Sequence, residues 1–188
     1  MSLPRYKYLL TYRYGEIISD VTVDFCAKYI DKKSRTYDQM IQGQRSGKQC
    51  LVEGTSLGDT TKKGEIRLLG FSKSSYSELQ TDFEDFLRQS GLEIYPKSHP
   101  KITEFRQIGY RLSNLNNLSH LGNLIEKPKL PGNPTDDANF LLTLCHIQTY
   151  LLDKQIKALL NKFETEGGFT ESLYRRRISV RNSTKKPK

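Results

Sequence analysis

"DQMIQGQRSGKQCLVEGTS", residues 38–56, carries Met40, Gln44, Gly47, Leu51 and Gly54 at alternating spacings of four and three. That period puts all five on one side of an α-helix. Cap-type residues in "SRTYD" (34–38) open the segment, and it runs to about Gly58. Two of the five are glycines, each costing about 1 kcal/mol relative to alanine inside a helix. Keeping them there requires an offsetting gain, either close packing of a neighbouring backbone or contact with a partner.

The same period recurs on both sides of this stretch. Upstream, residues 9–30 place Tyr14, Ile18, Val21 and Phe25 on one stripe, with Cys26 beside it. Downstream, residues 61–88 present Leu69, Ser72, Tyr76, Leu79, Phe83 and Phe86. "GLEIYPKSHP" (91–100) reads as a linker by its Gly, Pro and Ser content. A weaker helix follows over 103–125, with Phe105, Ile108, Leu112, Leu115 and Leu118, although its "SNLNNLSHLGN" is rich in poor helix formers. "KPKLPGNPTDD" ends in cap chemistry, and residues 136–165 form a long helix with Leu141, Leu144, Gln148, Leu152, Gln155, Leu159 and Phe163 on one side. Gly167-Gly168 stops it, "FTESLYRRR" is one more short helix, and the basic residues beyond are expected to be disordered. No strand-like alternation and no internal repeat interrupts the pattern. The expectation is all-α: an antiparallel up-and-down four-helix bundle with a short C-terminal helix. Residues 1–174 make one domain, with the linker and weak helix at 91–135, and residues 175–188 are a basic tail.

At 188 residues, with 36% hydrophobic and 27% charged side chains, the chain can bury one modest core. No apolar run approaches the roughly 20 residues that span a bilayer. Met1 to Glu16 offers only Leu9-Leu10 as a consecutive aliphatic pair, too little for a signal-peptide core. Cys26, Cys50 and Cys145 are odd in number and widely spaced, and read as small buried hydrophobes in a reducing cytoplasm. The net charge is +9, but residues 175–188 hold seven basic residues and no acid, which leaves the body at +2.

"DQMIQGQRSGKQCLVEGTS", followed by "SSYSELQTDFEDFLRQSGL" (74–92), resembles a bacterial family. These are the small four-helix-bundle proteins encoded inside intervening sequences of large-subunit rRNA genes. Their second helix reads Arg-Ser, then Asn-Ile-Ala-Glu-Gly. Arg45-Ser46 and Glu53-Gly54 match it; Cys50 stands where the family has Asn, and Leu51-Val52 replace Ile-Ala. Residues 131–177, "PGNPTDDANFLLTLCHIQTYLLDKQIKALLNKFETEGGFTESLYRRR", resemble the family's four-helix-bundle suffix domain. The resemblance covers most of residues 6–177. It implies an antiparallel bundle that assembles as a ring-like pentamer. It also implies kinship with the accessory variability determinant of diversity-generating retroelements, a basic pentamer that works with a reverse transcriptase and nucleic acid.

The residues support no catalytic chemistry. His99, His120 and His146 are scattered, and Cys145-His146 point about 100° apart on a helix, unsuited to sharing one metal. Asp82, Glu84 and Asp85 lack a histidine or second carboxylate motif and read as a solvated acidic face. Phosphate loops and nucleophile motifs are absent. The expectation is a protein that is not an enzyme and carries no metal or cofactor.

Charge placement is more telling. On a helical projection, Ile41, Arg45, Lys48 and Val52 fall on a flank away from the glycine seam. An apolar pair among cations suits a subunit contact or an acidic partner, and a partly buried helix edge explains it equally well. Lys62, Lys63 and Arg67 occupy the first two turns of the third helix and Glu78, Asp82, Glu84 and Asp85 lie toward its other end, both against the macrodipole. In an antiparallel hairpin Lys48 comes level with the basic end. Two readings stand open, an anion site built of these cations and a ring interface in which basic and acidic ends of neighbouring protomers meet. The first reading makes the protein a homo-oligomer that binds RNA or DNA through phosphates. Its contacts would be Arg45, Lys48, Lys62, Lys63, Arg67, Arg175, Arg176, Arg177 and Arg181, with Ile41 and Val52 at the subunit interface. The second makes it a protein-interaction scaffold.

Overall fold

The computed structural model describes residues 3–58 and 60–184. Among the described residues there are six α-helices, α1 (Leu10–Tyr29), α2 (Arg35–Leu57), α3 (Lys62–Gln89), α4 (Pro100–Leu112), α5 (Pro134–Glu166) and α6 (Phe169–Thr184), with 3₁₀ turns at Arg5–Tyr8 and Leu115–Asn117. Among the described residues there is no strand, only an isolated bridge between Leu118 and Leu124. None of the described helices is long and apolar enough to cross a membrane.

Local chemistry sets the helix ends. Ser34 Oγ accepts from Tyr37 N at 3.1 Å to open α2, Thr61 Oγ1 accepts from Gly64 N at 3.1 Å to open α3, and Asn133 Oδ1 accepts from Asp136 N at 2.9 Å to open α5. Pro100 and Pro134 begin α4 and α5, where a missing N–H costs nothing. Gly167 ends α5 with φ 77°, a left-handed conformation that suits glycine.

α2 packs along α3, α3 along α5, and α1 closes against both α2 and α5, while α4 lies on α5 and touches α1. The seams are those the periodicity predicts: Met40, Gln44, Gly47, Leu51 and Gly54 are the buried side of α2, and Leu69, Ser72, Tyr76, Leu79 and Phe83 that of α3. Phe25 meets Phe83 and Phe86 edge-on, with centroids 5.2 and 4.9 Å away. The glycines of α2 are explained by close approach. A Cβ on Gly47 would stand 2.9 Å from the Tyr76 ring, and one on Gly54 would stand 3.3 Å from the Glu65 carbonyl. Ser72 Oγ donates to the Gly47 carbonyl at 2.7 Å.

Three expectations are corrected. The weak helix over 103–125 stops at Leu112 because asparagine side chains capture the backbone groups: Asn117 Nδ2 donates to Leu112 O at 2.8 Å and Asn114 Oδ1 accepts from Asn116 N at 2.9 Å. Leu115, placed on its stripe, is 50% exposed. The basic tail is helical through Thr184, so α6 crosses the expected boundary at 174/175 without a break. Arginine is a good helix former, so a run of them need not unwind a helix; Lys185, Lys186 and Lys188 lie outside the described residues. Finally, Ile41 and Val52 are half-buried and pack against the core, which takes from them the free apolar stripe proposed for subunit contact.

A polar cluster at the start of α5 ties distant segments together. Asp137 accepts from Lys28 Nζ at 3.1 Å, Tyr29 Oη at 2.7 Å and Gly132 N at 2.6 Å. Asp136 accepts from Tyr95 Oη at 2.6 Å, Asn133 Nδ2 at 2.7 Å and Lys101 Nζ. Burial works to raise the Asp136 pKa, but the bonds from Lys101, Tyr95 and Asn133 outweigh it and hold the carboxyl below its usual range. A depressed folded pKa contributes stability above the unfolded value, about 3.9, which is lost as pH falls through the folded one. The melting temperature should therefore drop on acidification below about pH 4, and Asp136→Asn should flatten that part of the profile. An unchanged slope in the variant would remove Asp136 from the acid response.

Candidate nucleic-acid interface

Gly167 and Gly168 end α5 and turn the chain into α6. Gly168 N donates to Glu171 Oε2 at 2.9 Å, capping the new helix, and Arg175 Nη2 reaches back to the Glu166 carbonyl at 2.7 Å, closing the old one. The corner encloses a cleft of about 550 Å³ against the α2–α3 turn, lined by Lys62, Lys162, Arg175 and Arg176, with Glu166 as an acid beside them. Lys162 is 3.7 Å from Glu166, and Lys62 is 3.4 Å from Glu65.

Beyond the corner, no α6 residue from 169 to 182 is buried. Arg175, Arg176, Arg177 and Arg181 are exposed along it. So are Phe169 at 45%, Tyr174 at 66% and Val180 at 62%. Among the described residues neither Arg176 nor Arg177 forms an ion pair. Guanidinium groups on the same helix as exposed aromatic rings offer both phosphate neutralisation and a stacking surface.

The other candidate residues are dispersed. Arg45 and Lys63 are exposed on separate helices. Arg67 holds its guanidinium 5.4 Å over the Phe71 ring. Lys48 turns toward α1, its Nζ 3.3 Å from Ser19 Oγ. It does not come level with the basic end of α3: Gly47 is opposite Ser72, so Lys48 and Lys63 are separated by about eight residues of rise, about 12 Å. The four cations expected to form one anion site therefore do not converge. Glu65, which the charge reading passed over, is buried in the first turn of α3, supplies the anion favoured there and neutralises Lys62.

Lys62 instead joins Arg175 and Arg176 through the fold of the C-terminus. Lys162, Phe169 and Tyr174 were missed as site residues. The two aromatic residues just ahead of the arginine run in "FTESLYRRR" were the available signal for the two rings, whereas Lys162 acquires its place only from the turn at Gly167. Asp82, Glu84 and Asp85 of α3 are half-buried rather than freely solvated; burial, with Asp85 and Glu78 nearby, pushes the Asp82 carboxyl upward. Among the described residues no group of three or more His, Cys, Asp or Glu is placed to hold a metal ion, and Cys26, Cys50 and Cys145 are free thiols. No protein-family model, curated protein or solved structure matches the chain.

Proposed function

We propose that this protein is a non-enzymatic, oligomeric helical protein of the cytoplasm that binds RNA or DNA through backbone phosphates, with α6 as the contacting element. The observation that carries the reading is the exposure of Arg175, Arg176, Arg177 and Arg181 on one helix together with Phe169 and Tyr174. In this reading α1, α2, α3 and α5 form an antiparallel four-helix bundle, supported by their closed cycle of contacts, and α4 is an added fifth helix. The resemblance to the rRNA intervening-sequence proteins suggests a pentamer serving a ribonucleoprotein or retroelement assembly, with a reverse transcriptase as a partner of the right kind.

The test is a filter-binding salt titration with single-stranded RNA and duplex DNA. Affinity should fall steeply as salt rises, and Arg176→Glu/Arg177→Glu should reduce the log–log slope by about two. Lys63→Glu/Arg67→Glu should change it less, because Arg67 lies against Phe71. Unchanged binding in the α6 variant overturns the reading. A second reading, a protein-interaction scaffold, draws on the apolar residues of the same helix: Leu173 is 41% exposed and Ile178 37%. It requires that no nucleic acid binds and that the α6 variant changes the mass measured by light scattering.

A further inference from the structure

On the side of α5 facing α4 and the 91–99 linker lies a groove of about 690 Å³, outside the basic surface described above. It falls in the size range of small-molecule sites. α5 contributes Asn139, Leu142, Thr143, His146, Ile147, Tyr150 and Leu151, one helical stripe about 18 Å long. The floor is apolar, and its polar members are already engaged. Asn139 donates to the Glu93 and Thr135 carbonyls and accepts from Tyr95 N; Thr143 Oγ1 donates to Asn139 O at 2.7 Å; Tyr95 Oη donates to Asp136. A nucleobase or other polar ring would find little to bond to there, and its own donors and acceptors would be buried without partners. An alkyl chain makes no such demand.

The rim is different. Lys97 from the linker and Arg106 from α4 border the groove and form no ion pair among the described residues, while Glu84 from α3 is the one acid lining it. Two unpaired cations against one acid leave the mouth electropositive. We propose that this groove binds a single amphiphile with an anionic head, a medium-chain carboxylate taken from solution. The tail lies along Leu142, Ile147 and Leu151, and the head sits between Lys97 and Arg106. His146 stands at the mouth, facing Glu84, Lys97 and Arg106, with Tyr150 one turn along its own helix. Burial of the ring depresses its pKa, Glu84 opposes this, and Lys97 and Arg106 reinforce it. A bound carboxylate favours the imidazolium and moves that titration upward.

The experiment is calorimetric titration of the full chain with sodium dodecanoate below its micellar concentration, beside dodecyltrimethylammonium, with light scattering and thermal melts as controls. Saturable binding of the carboxylate and a much weaker response to the cation are expected. Lys97→Glu/Arg106→Glu, both exposed, should cost at least tenfold in dodecanoate affinity without lowering the melt, and Tyr150→Glu should cost a similar factor from the tail side. Nuclear magnetic resonance should show the His146 ring shifting and its pKa rising on addition of dodecanoate. Absence of saturable binding overturns the proposal, as does binding that ignores both variants or leaves His146 unmoved. Two rival occupants overturn it as well: a second copy, seen as a mass change in Tyr150→Glu, and a lipid surface, seen as sedimentation with anionic vesicles without uptake of monomeric dodecanoate.

Discussion

Asp137→Ala is expected to destabilise the protein by about 3–5 kcal/mol, the usual cost of removing one partner from a buried charged cluster. The carboxylate is fully buried and serves three donors at once, on Lys28, Tyr29 and Gly132. Alanine leaves the Tyr29 hydroxyl and the Gly132 amide without an acceptor and opens a small void at the start of α5. At about 2–4 °C per kcal/mol for a chain of this size, the melting temperature should fall by about 10 °C. Asp153→Ala is the matching control. Asp153 pairs with Lys73 and Lys157, both at 2.8 Å, and its carboxyl is held down at about 2, yet the pairs are solvent-exposed and should hardly register in the melt. Equal losses from the two variants would show that burial is not what gives the Asp137 cluster its strength.

Gly47→Val should be nearly as damaging, by about 3 kcal/mol, although valine is the better helix former. Its Cβ would stand 2.9 Å from Tyr76 Cε2 and Cζ, and the ring cannot retreat, because a Cβ on Gly15 would lie 2.6 Å from Tyr76 Oη on the other side. Tyr76 is fully buried between the two helices. Gly70, in the interior of α3, is the opposite case: a Cβ there would meet no atom within 4 Å. Gly70→Ala should therefore gain about 0.5–1 kcal/mol, the ordinary helix-propensity difference. Thermal or denaturant unfolding of the pair tests the argument, and a stabilised Gly47 variant would refute the close-packing account of the α2 glycines.

The two glycines also mark how far the fold was legible in sequence. The long helices could be read because each buries one side, so that Met40, Gln44 and Leu51, or Leu69, Tyr76 and Phe83, recur at the helical period. α6 left no such trace: none of its residues from 169 to 182 is buried, and its arginines look alike in a helix and in a solvated tail. The end of α4 was misjudged because Leu115 and Leu118 continue an apolar spacing while Asn114 and Asn117 terminate the backbone pattern. Charges were the least legible. Whether a lysine is paired depends on register between segments far apart in the chain, as for Lys28 with Asp137 and Lys101 with Asp136. The same dependence dispersed the expected anion site, since Lys48 sits where α2 and α3 align rather than where its sign suggested.

The long connection between α3 and α5 matters to the chain as it is being made. α5 covers a side of α3 where Lys73 pairs with Asp153 and Gln80 donates to Thr149 at 2.9 Å. Residues 90–133 separate the two helices, and α4, which lies within them, packs mainly on α5 and does not substitute for it. At ribosomal rates of about 5–20 residues per second, α1, α2 and α3 wait roughly 4 to 15 s before α5 has been synthesised. During that interval the nascent chain shows an uncovered apolar surface to everything around it. A message or ribosome that stops before residue 134 is therefore expected to yield a product prone to aggregate, which light scattering of the 1–133 fragment would show.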